Sequence, residues 1–443
     1  MKRETMQPSS SGARLSRRNF LAVASTAAGA GALTVACGGR GDVDPDNLSG
    51  EVRFAWWGNA HRQELYASFA EGFEDVENDI SVRLEPAEYS PYLDRVAVQA
   101  GGQNLPNAFW IPANQATSFA HSGVLLNINE MPEEIVSFDE IPSELVSEWE
   151  IDGAQYAPVY TQYSPAVQID QTAFADAGIN DLPDDESWTW EDFWDLAEEY
   201  SNATGEENWG ISAMGSFFQH AHLWIRQQGS EIFDAEGNLV LEPDILAGWY
   251  AMWQEGIDRG AVMPPQVSGG ETQWTQTGHR TGLYLVQLNQ YLDNASFSSD
   301  HDLTLHRYPE DSDSTDDYQF HYQVRMAVAE SSDDPESAAA FLDYFLNDES
   351  AADTVRLASG VPVNPNVVER ISEDADETEQ RLLDMQARID EEPMRDRPEP
   401  PPAGAGWQQL IETTNDNIFN GGQDIDSAVA EGIADLEQQL ERG

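Results

Sequence analysis

Glu51-Val52-Arg53-Phe54-Ala55-Trp56-Trp57-Gly58-Asn59-Ala60-His61-Arg62 is the stretch from which the fold is read. Apolar residues alternate at its start, the period of a strand. The pattern breaks at Trp-Trp-Gly-Asn, a turn signal carrying two large aromatics. From about His61 the period becomes helical, with Leu65, Phe69, Phe73 and Val76 three to four residues apart. A second apolar strand follows at Ile80-Ser81-Val82-Arg83-Leu84. The order is β-α-β, and open α/β sheets bind ligands at the loops leaving the carboxyl ends of their strands. Trp56 and Trp57 fall in such a loop. Either both are packing residues, or at least one offers a flat apolar face to a ligand.

The same reading extends down the chain. A helix from Tyr92 to Ala100 precedes a short strand at Ala108-Phe109-Trp110-Ile111, a loop at Pro112-Ala113-Asn114-Gln115, and a helix ending at Ser122-Gly123, with Gly123 as its cap. Tyr156 to Pro165 is extended, with a proline near each end, and reads as the first strand crossing between domains. Thr189 and Asp192 predict a capped helix start, and Trp190, Phe193, Trp194 and Leu196 its core face. Asp234-Ala235-Glu236-Gly237-Asn238 predicts a hairpin turn. Strands are expected at 283–288 and 325–329, and two amphipathic helices between Trp407 and Leu440, broken at Gly421-Gly422. No internal repeat is found.

The 443-residue chain is long enough for two domains and a substantial core. It carries 80 acidic against 22 basic residues, a formal net charge of −58, and its only lysine is Lys2. Self-repulsion on this scale strains a compact state unless counterions screen it, a lever that halophiles use. With 10% aromatic residues, the composition points to a folded protein in concentrated salt, not a disordered acidic chain. There is no basic face for nucleic acid.

Residues 1–36 read as an export address. Ser16-Arg17-Arg18-Asn19-Phe20-Leu21 is a twin-arginine pattern, and a mild apolar run leads to Leu33-Thr34-Val35-Ala36-Cys37-Gly38. Cys37, the only cysteine, is similar to the lipidated residue of a lipoprotein box; the alternative is a stray thiol. Residues 37–50 read as a tether. No later apolar run is long enough to span a bilayer.

Absences narrow the chemistry. Lysine confined to residue 2 excludes a Walker A loop and a Schiff-base lysine. No cysteine after 37 excludes thiol catalysis and Cys-ligated zinc. His-Glu-x-x-His and Gly-x-Ser-x-Gly are both missing. His220 and His222 are two apart and diverge on a helix, and Asp311 to Asp317 lacks the glycine of an EF-hand loop. No catalytic residue, metal ligand set or cofactor is singled out. What recurs is aromatic and amide-bearing loops at predicted strand ends. Sugars stack C–H faces on Trp and Tyr and offer hydroxyls to Asn, Gln and Arg. The candidates are Trp57, Asn59 and Arg62; Trp110, Asn114 and Gln115; Gln162 and Tyr163; Phe217 and Gln219; Gln287; and Trp407.

The order of segments resembles extracellular solute-binding proteins of sugar ABC importers, of the maltose and multiple-sugar binding family. The resemblance rests on the opening strand into Trp56-Trp57-Gly58, on Leu105-Pro106-Asn107-Ala108-Phe109 and Ala157-Pro158-Val159, and on Phe174-Ala175-Asp176-Ala177-Gly178. Thr189-Trp190-Glu191-Asp192-Phe193, Gly278-His279-Arg280, the run Ala339 to Leu346 and Gly360-Val361-Pro362-Val363-Asn364 complete it. It implies an α/β, two-lobed, periplasmic-binding-protein-like fold, hinged between doubly wound lobes that close on a sugar. The lobes are expected at 50–162 with 283–345, and at 163–282 with 346–443. Asn114 and Gln115 stand where the family often has an acid and an arginine. The implied protein is a haloarchaeal-type, lipid-anchored monomer outside the cell that hands its ligand to a permease and does no bond chemistry. The rival readings are a receptor for a polyol phosphate or peptide, a secreted carbohydrate-active enzyme, and a structural surface protein.

Overall fold

The computed structural model describes residues 45–442, apart from 265–266, 268–269, 278, 311–320, 393–397, 399, 402–403 and 405. The twin-arginine segment, Cys37, most of the tether and the Asp311 to Asp317 run lie outside the described residues. The strands are β1 (Gly50–Trp57), β2 (Ile80–Ala87), β3 (Ala108–Pro112), β4 (Val159–Tyr163), β5 (Pro165–Asp170), β6 (Ile211–Ser212), β7 (Val262–Met263), β8 (Leu283–Gln287), β9 (Leu303–His306), β10 (Tyr322–Val328) and β11 (Val361–Pro362).

The first sheet runs β11-β4-β10-β3-β1-β2. Its heart is the expected β-α-β unit: β1 pairs in parallel with β2, from Gly50 opposite Ile80 to Trp57 opposite Ala87, with helix Ala60–Val76 between them. That helix starts where it does because the Asn59 side chain accepts the Arg62 N–H at 2.9 Å, capping an otherwise orphan donor. Phe54 and Trp56 on one face of β1 pack with Tyr66 of this helix and, through Phe54, with Phe341 and Phe345 of helix Pro335–Asn347. Ala55 on the other face packs with Tyr92 and Phe109. A strand covered on both faces is typical of parallel sheets in α/β proteins.

The second sheet runs β8-β5-β9, with both neighbours antiparallel to β5. The β6–β7 pair abuts it, since the Gly210 carbonyl accepts the N–H groups of Gly282 and Leu283 at 3.1 and 2.8 Å. Against this sheet packs the Trp190, Phe193, Trp194 stripe with Trp249 and Trp253, as its spacing predicts. The Thr189–Asp192 capping box, the Asp234–Asn238 turn and the break at Gly422 (φ +70°) are all present.

Strand pairing places β8 and β9, within the expected 283–345 segment, in the second sheet, and β11, within 346–443, beside β4 in the first. A short buried apolar run identifies a strand but not its neighbours, so periodicity carried no information on either point. The chain crosses at Ser164, returns between β9 and β10, and crosses again between β11 and helix Glu377–Asp390, which packs on β9. Side chains of these connections meet: buried Ser164 Oγ lies 2.8 Å from His321 Nδ1 and accepts Gln386 Nε2 at 3.2 Å.

Candidate ligand-binding cleft

Where β1, β3 and β4 end and β10 begins, beside the carboxyl end of β8, a cavity of about 340 Å³ opens between the two sheets. This is within the size range of small-molecule sites. The first lobe contributes Trp57, Arg62, Tyr89, Tyr163, Tyr322 and Gln323 to it; the second contributes Phe218, Gln219, Gln287, Asn289, Gln290 and Trp407.

One wall is a chain of rings. Tyr163 stacks on Tyr322 at 5.9 Å, Tyr322 meets Phe218 edge-on at 6.4 Å, and Phe218 meets Trp407 edge-on at 5.2 Å. It begins on the first sheet and ends on the second lobe. Opposite it, Trp57 is propped by the edges of Tyr89 (5.5 Å), Tyr92 (5.4 Å) and Trp110 (5.0 Å).

The polar groups are mostly carboxamides. Gln287 is 4% exposed, lies 3.2 Å from His220 Nε2 through its Nε2, and leaves its Oε1 without a hydrogen-bond partner. An unpaired buried carbonyl oxygen costs free energy that a ligand hydroxyl would recover. Burial pushes the His220 imidazole down to about 3, so the ring is neutral at ordinary pH.

Glu231 is the one carboxylate among the described lining residues, and it is engaged. It accepts from His222 Nε2 at 2.6 Å and pairs with the fully buried Arg226. Burial alone would raise its pKa; the His222 hydrogen bond and the His222 and Arg226 charges outweigh that and hold it down at about 2. Arg62 donates to the carbonyls of Ala358 (2.7 Å) and Asn289 (3.3 Å).

Of the residues expected from sequence, Trp57, Arg62, Tyr163, Gln219, Gln287 and Trp407 meet at the cavity; Asn59, Trp110, Gln115, Gln162 and Phe217 do not line it. Trp110 is fully buried on β3, where it backs Trp57 instead of facing a ligand. Asn59 is used as the helix cap and donates to Asp293 at 3.0 Å. Gln162 sits one residue before Tyr163 on β4, opposite Gln323, and is not among the lining residues. Phe217 packs on the second core while Phe218, the first residue of its helix, reaches the cavity. Gln115 lies on helix Ala113–His121, off the lining; the backbone of Asn114 belongs to the same helix, and its side chain lies outside the described residues. Sequence reading missed Tyr89, Tyr322, Gln323 and Gln290. Tyr322 and Gln323 begin β10 right after a crossing, a signal that was available; Tyr89 and Gln290 carried none.

A family model for bacterial extracellular solute-binding proteins matches residues 64–381, and the chain belongs to that family. The diacetylchitobiose binding protein DasA of Streptomyces coelicolor is 26% identical over 154 residues, which is 33% of this chain and 36% of that protein. The matched part thus spans about a third of that relative's length. Among solved structures, a periplasmic oligogalacturonide binding protein from Yersinia enterocolitica in complex with saturated digalacturonic acid superposes with a TM-score of 0.78 at 15% identity, over 88% of this chain and 99% of that one. An ABC substrate-binding protein from Listeria monocytogenes in complex with cycloalternan gives 0.74 at 16% identity, over 89% and 100%. At such identities the likeness establishes the two-lobed α/β fold and nothing finer.

Proposed function

We propose that this protein is the extracellular substrate-binding component of an ABC importer and binds a neutral sugar or oligosaccharide in the cleft between its lobes. It delivers that ligand to a permease without altering it. The observation that carries this reading is the character of the cleft within so acidic a chain. Of 80 acidic residues, the described lining holds Glu231 alone, and that carboxylate is neutralised by Arg226 and His222. What remains is indole and phenol faces with carboxamides, the surface that a polyhydroxylated ring fits. Diacetylchitobiose and cycloalternan, named for two of the relatives above, are neutral sugars and support the same class. Strand pairing suggests lobes made of 50–163 with 322–362, and of 165–306 with 377–442, turning about Ser164 and the two later crossings. Export as a folded monomer by the twin-arginine route, a lipid anchor at Cys37 and a saline habitat complete the reading; they rest on sequence alone.

A polyol phosphate or peptide fits less well. Arg62 is committed to two carbonyls, and Arg280 lies over Trp209, outside the cavity. The test is a thermal-shift screen of neutral mono- and oligosaccharides in concentrated salt, followed by calorimetry on Trp57→Ala and Trp407→Ala. Each substitution should weaken sugar binding by about 1–3 kcal/mol, the scale of losing a buried stacking aromatic. Unchanged affinity in both removes the cleft assignment. Stabilisation by a phosphorylated polyol or a peptide, but by no sugar, selects the second reading. Product release from a glycoside makes the protein an enzyme.

A further inference from the structure

A second group of ligand atoms lies at the far end of β5. Pro165 of that strand pairs with Gln287 at the cleft, and Asp170 closes the opposite end, about 17 Å away at a strand's rise per residue. The Asp170 carboxylate is fully buried. One oxygen accepts the Ala173 N–H at 2.9 Å, and the other lies 2.6 Å from His301 Nδ1 and 3.7 Å from His279 Nδ1. The two imidazoles stack at 4.2 Å with 23° between their planes, Phe297 stacks on His279 at 5.4 Å, and all three ligand atoms fall within 4.8 Å of one another.

A structural Asp–His pair accounts for His301 but not for His279. His279 Nδ1 is buried, has no hydrogen-bond partner, and is aimed at the same carboxylate oxygen from beyond bonding distance. Its backbone sits at φ +61°, a left-handed conformation in which histidine is enriched among residues other than glycine. An ion between the three atoms gives that nitrogen a partner. In a tetrahedral site with bonds of zinc length, ligand atoms sit about 3.4 Å apart, between the separations found here. Two imidazoles and one carboxylate suit zinc and its neighbours, whereas calcium and magnesium take oxygen ligands.

We propose that Asp170, His279 and His301 bind one divalent transition-metal ion of the zinc class, with a water in the fourth position. His301 also borders an open surface depression of about 760 Å³, shared with Thr172, Asp300 and Asp302, which gives an ion access. Asp170 ends β5, His279 precedes β8 and His301 precedes β9, so the ion clips together the connections of all three strands of the second sheet.

The test uses the chelator-treated full chain in concentrated salt, with excess Ca²⁺ and Mg²⁺ occupying surface carboxylates. Zn²⁺ titration by calorimetry should give one site per chain, Co²⁺ should show the visible absorption of a tetrahedral site, and Zn²⁺ should raise Tm. His301→Gln and His279→Asn, the latter keeping a residue that tolerates positive φ, should each weaken binding at least ~10–100-fold, the scale of disturbing a metal's surroundings. Near-UV circular dichroism without metal confirms that each variant is folded; if one is not, the other decides. Absence of stoichiometric Zn²⁺ binding, or unchanged affinity in a folded variant, overturns the proposal.

Discussion

Neighbouring residues on a strand face opposite ways, and β1 divides its two tryptophans accordingly. Trp56 has no exposed surface and stacks on Phe54 at 4.7 Å. Trp57 faces the cavity and is braced by Tyr92 and Trp110. A ring braced from behind loses little freedom when a ligand stacks on it. Beneath the other side of the cleft, His220 permits a prediction from pH. Its folded pKa is depressed to about 3 by burial, while the unfolded ring titrates near 6.5. Between those values the unfolded chain holds a proton that the folded chain rejects. The stability contributed by the neutral ring is therefore fully present above pH ~6.5 and falls by about 1.4 kcal/mol per pH unit below it, until pH ~3. Denaturant titrations of wild type and His220→Gln at fixed salt should diverge by that slope as pH falls from 6.5 towards 4, because carboxylate titration is common to both. Parallel curves would show that the ring accepts a proton in place. The sequence shows His220 only as one of two histidines that diverge on a helix, because burial, which gives it this property, depends on residues distant in the chain.

At the scale of elements, local chemistry was legible and partnership was not. Thr189 with Asp192, Gly123 at φ +70° and the Asp234–Asn238 turn each satisfy backbone groups within a few residues, so their signals are written locally. Which sheet accepts β8 depends on contacts more than a hundred residues apart, and nothing in Leu283 to Gln287 encodes them. The same distance hid the contact between helix Ala60–Val76 and helix Leu288–Phe297. Asn59 Nδ2 donates to Asp293 Oδ2 at 3.0 Å, and Arg62 donates to the Asn289 carbonyl at 3.3 Å, so the start of a first-lobe helix grips a second-lobe helix beside the cavity. A bond made in only one arrangement of the lobes biases the population towards it. Asp293→Ala removes one such bond from a residue outside the cavity lining. At ~0.5–1.5 kcal/mol for the bond, sugar affinity should fall about two- to tenfold with little change in Tm. Unchanged affinity would mean that this contact does not favour the ligand-binding arrangement.

For the whole molecule, charge is the dominant quantity. Arginines are spent on carboxylates: Arg53 on Glu85 (2.9 Å), Arg381 on Asp302 (2.6 Å) and Glu377 (2.8 Å), Arg388 on Asp185 (2.9 Å), and Arg356 on Asp374 (2.9 Å) and Glu379. With 22 basic residues against 80 acidic ones, most carboxylates have no counter-charge in the chain. Their mutual repulsion must be screened by ions. The Debye length grows from ~3 Å at 1 M salt to ~10 Å at 0.1 M, so dilution lets neighbouring carboxylates repel one another across the surface. Tm measured along a KCl series should fall steeply over that interval. Replacing KCl by a neutral osmolyte at equal osmolality should not restore it, because screening requires charge. A flat Tm would mean that local hydration suffices to hold the surface together. The cleft should behave differently. Its described lining is neutral apart from Arg62 and the Glu231 group, where Arg226 and His222 offset the carboxylate, and a neutral sugar brings no charge to screen. Wherever the protein is fully folded, sugar affinity should vary little with salt, even as the stability of the same molecule varies strongly. A steep loss of affinity with added salt would instead identify the ligand as charged.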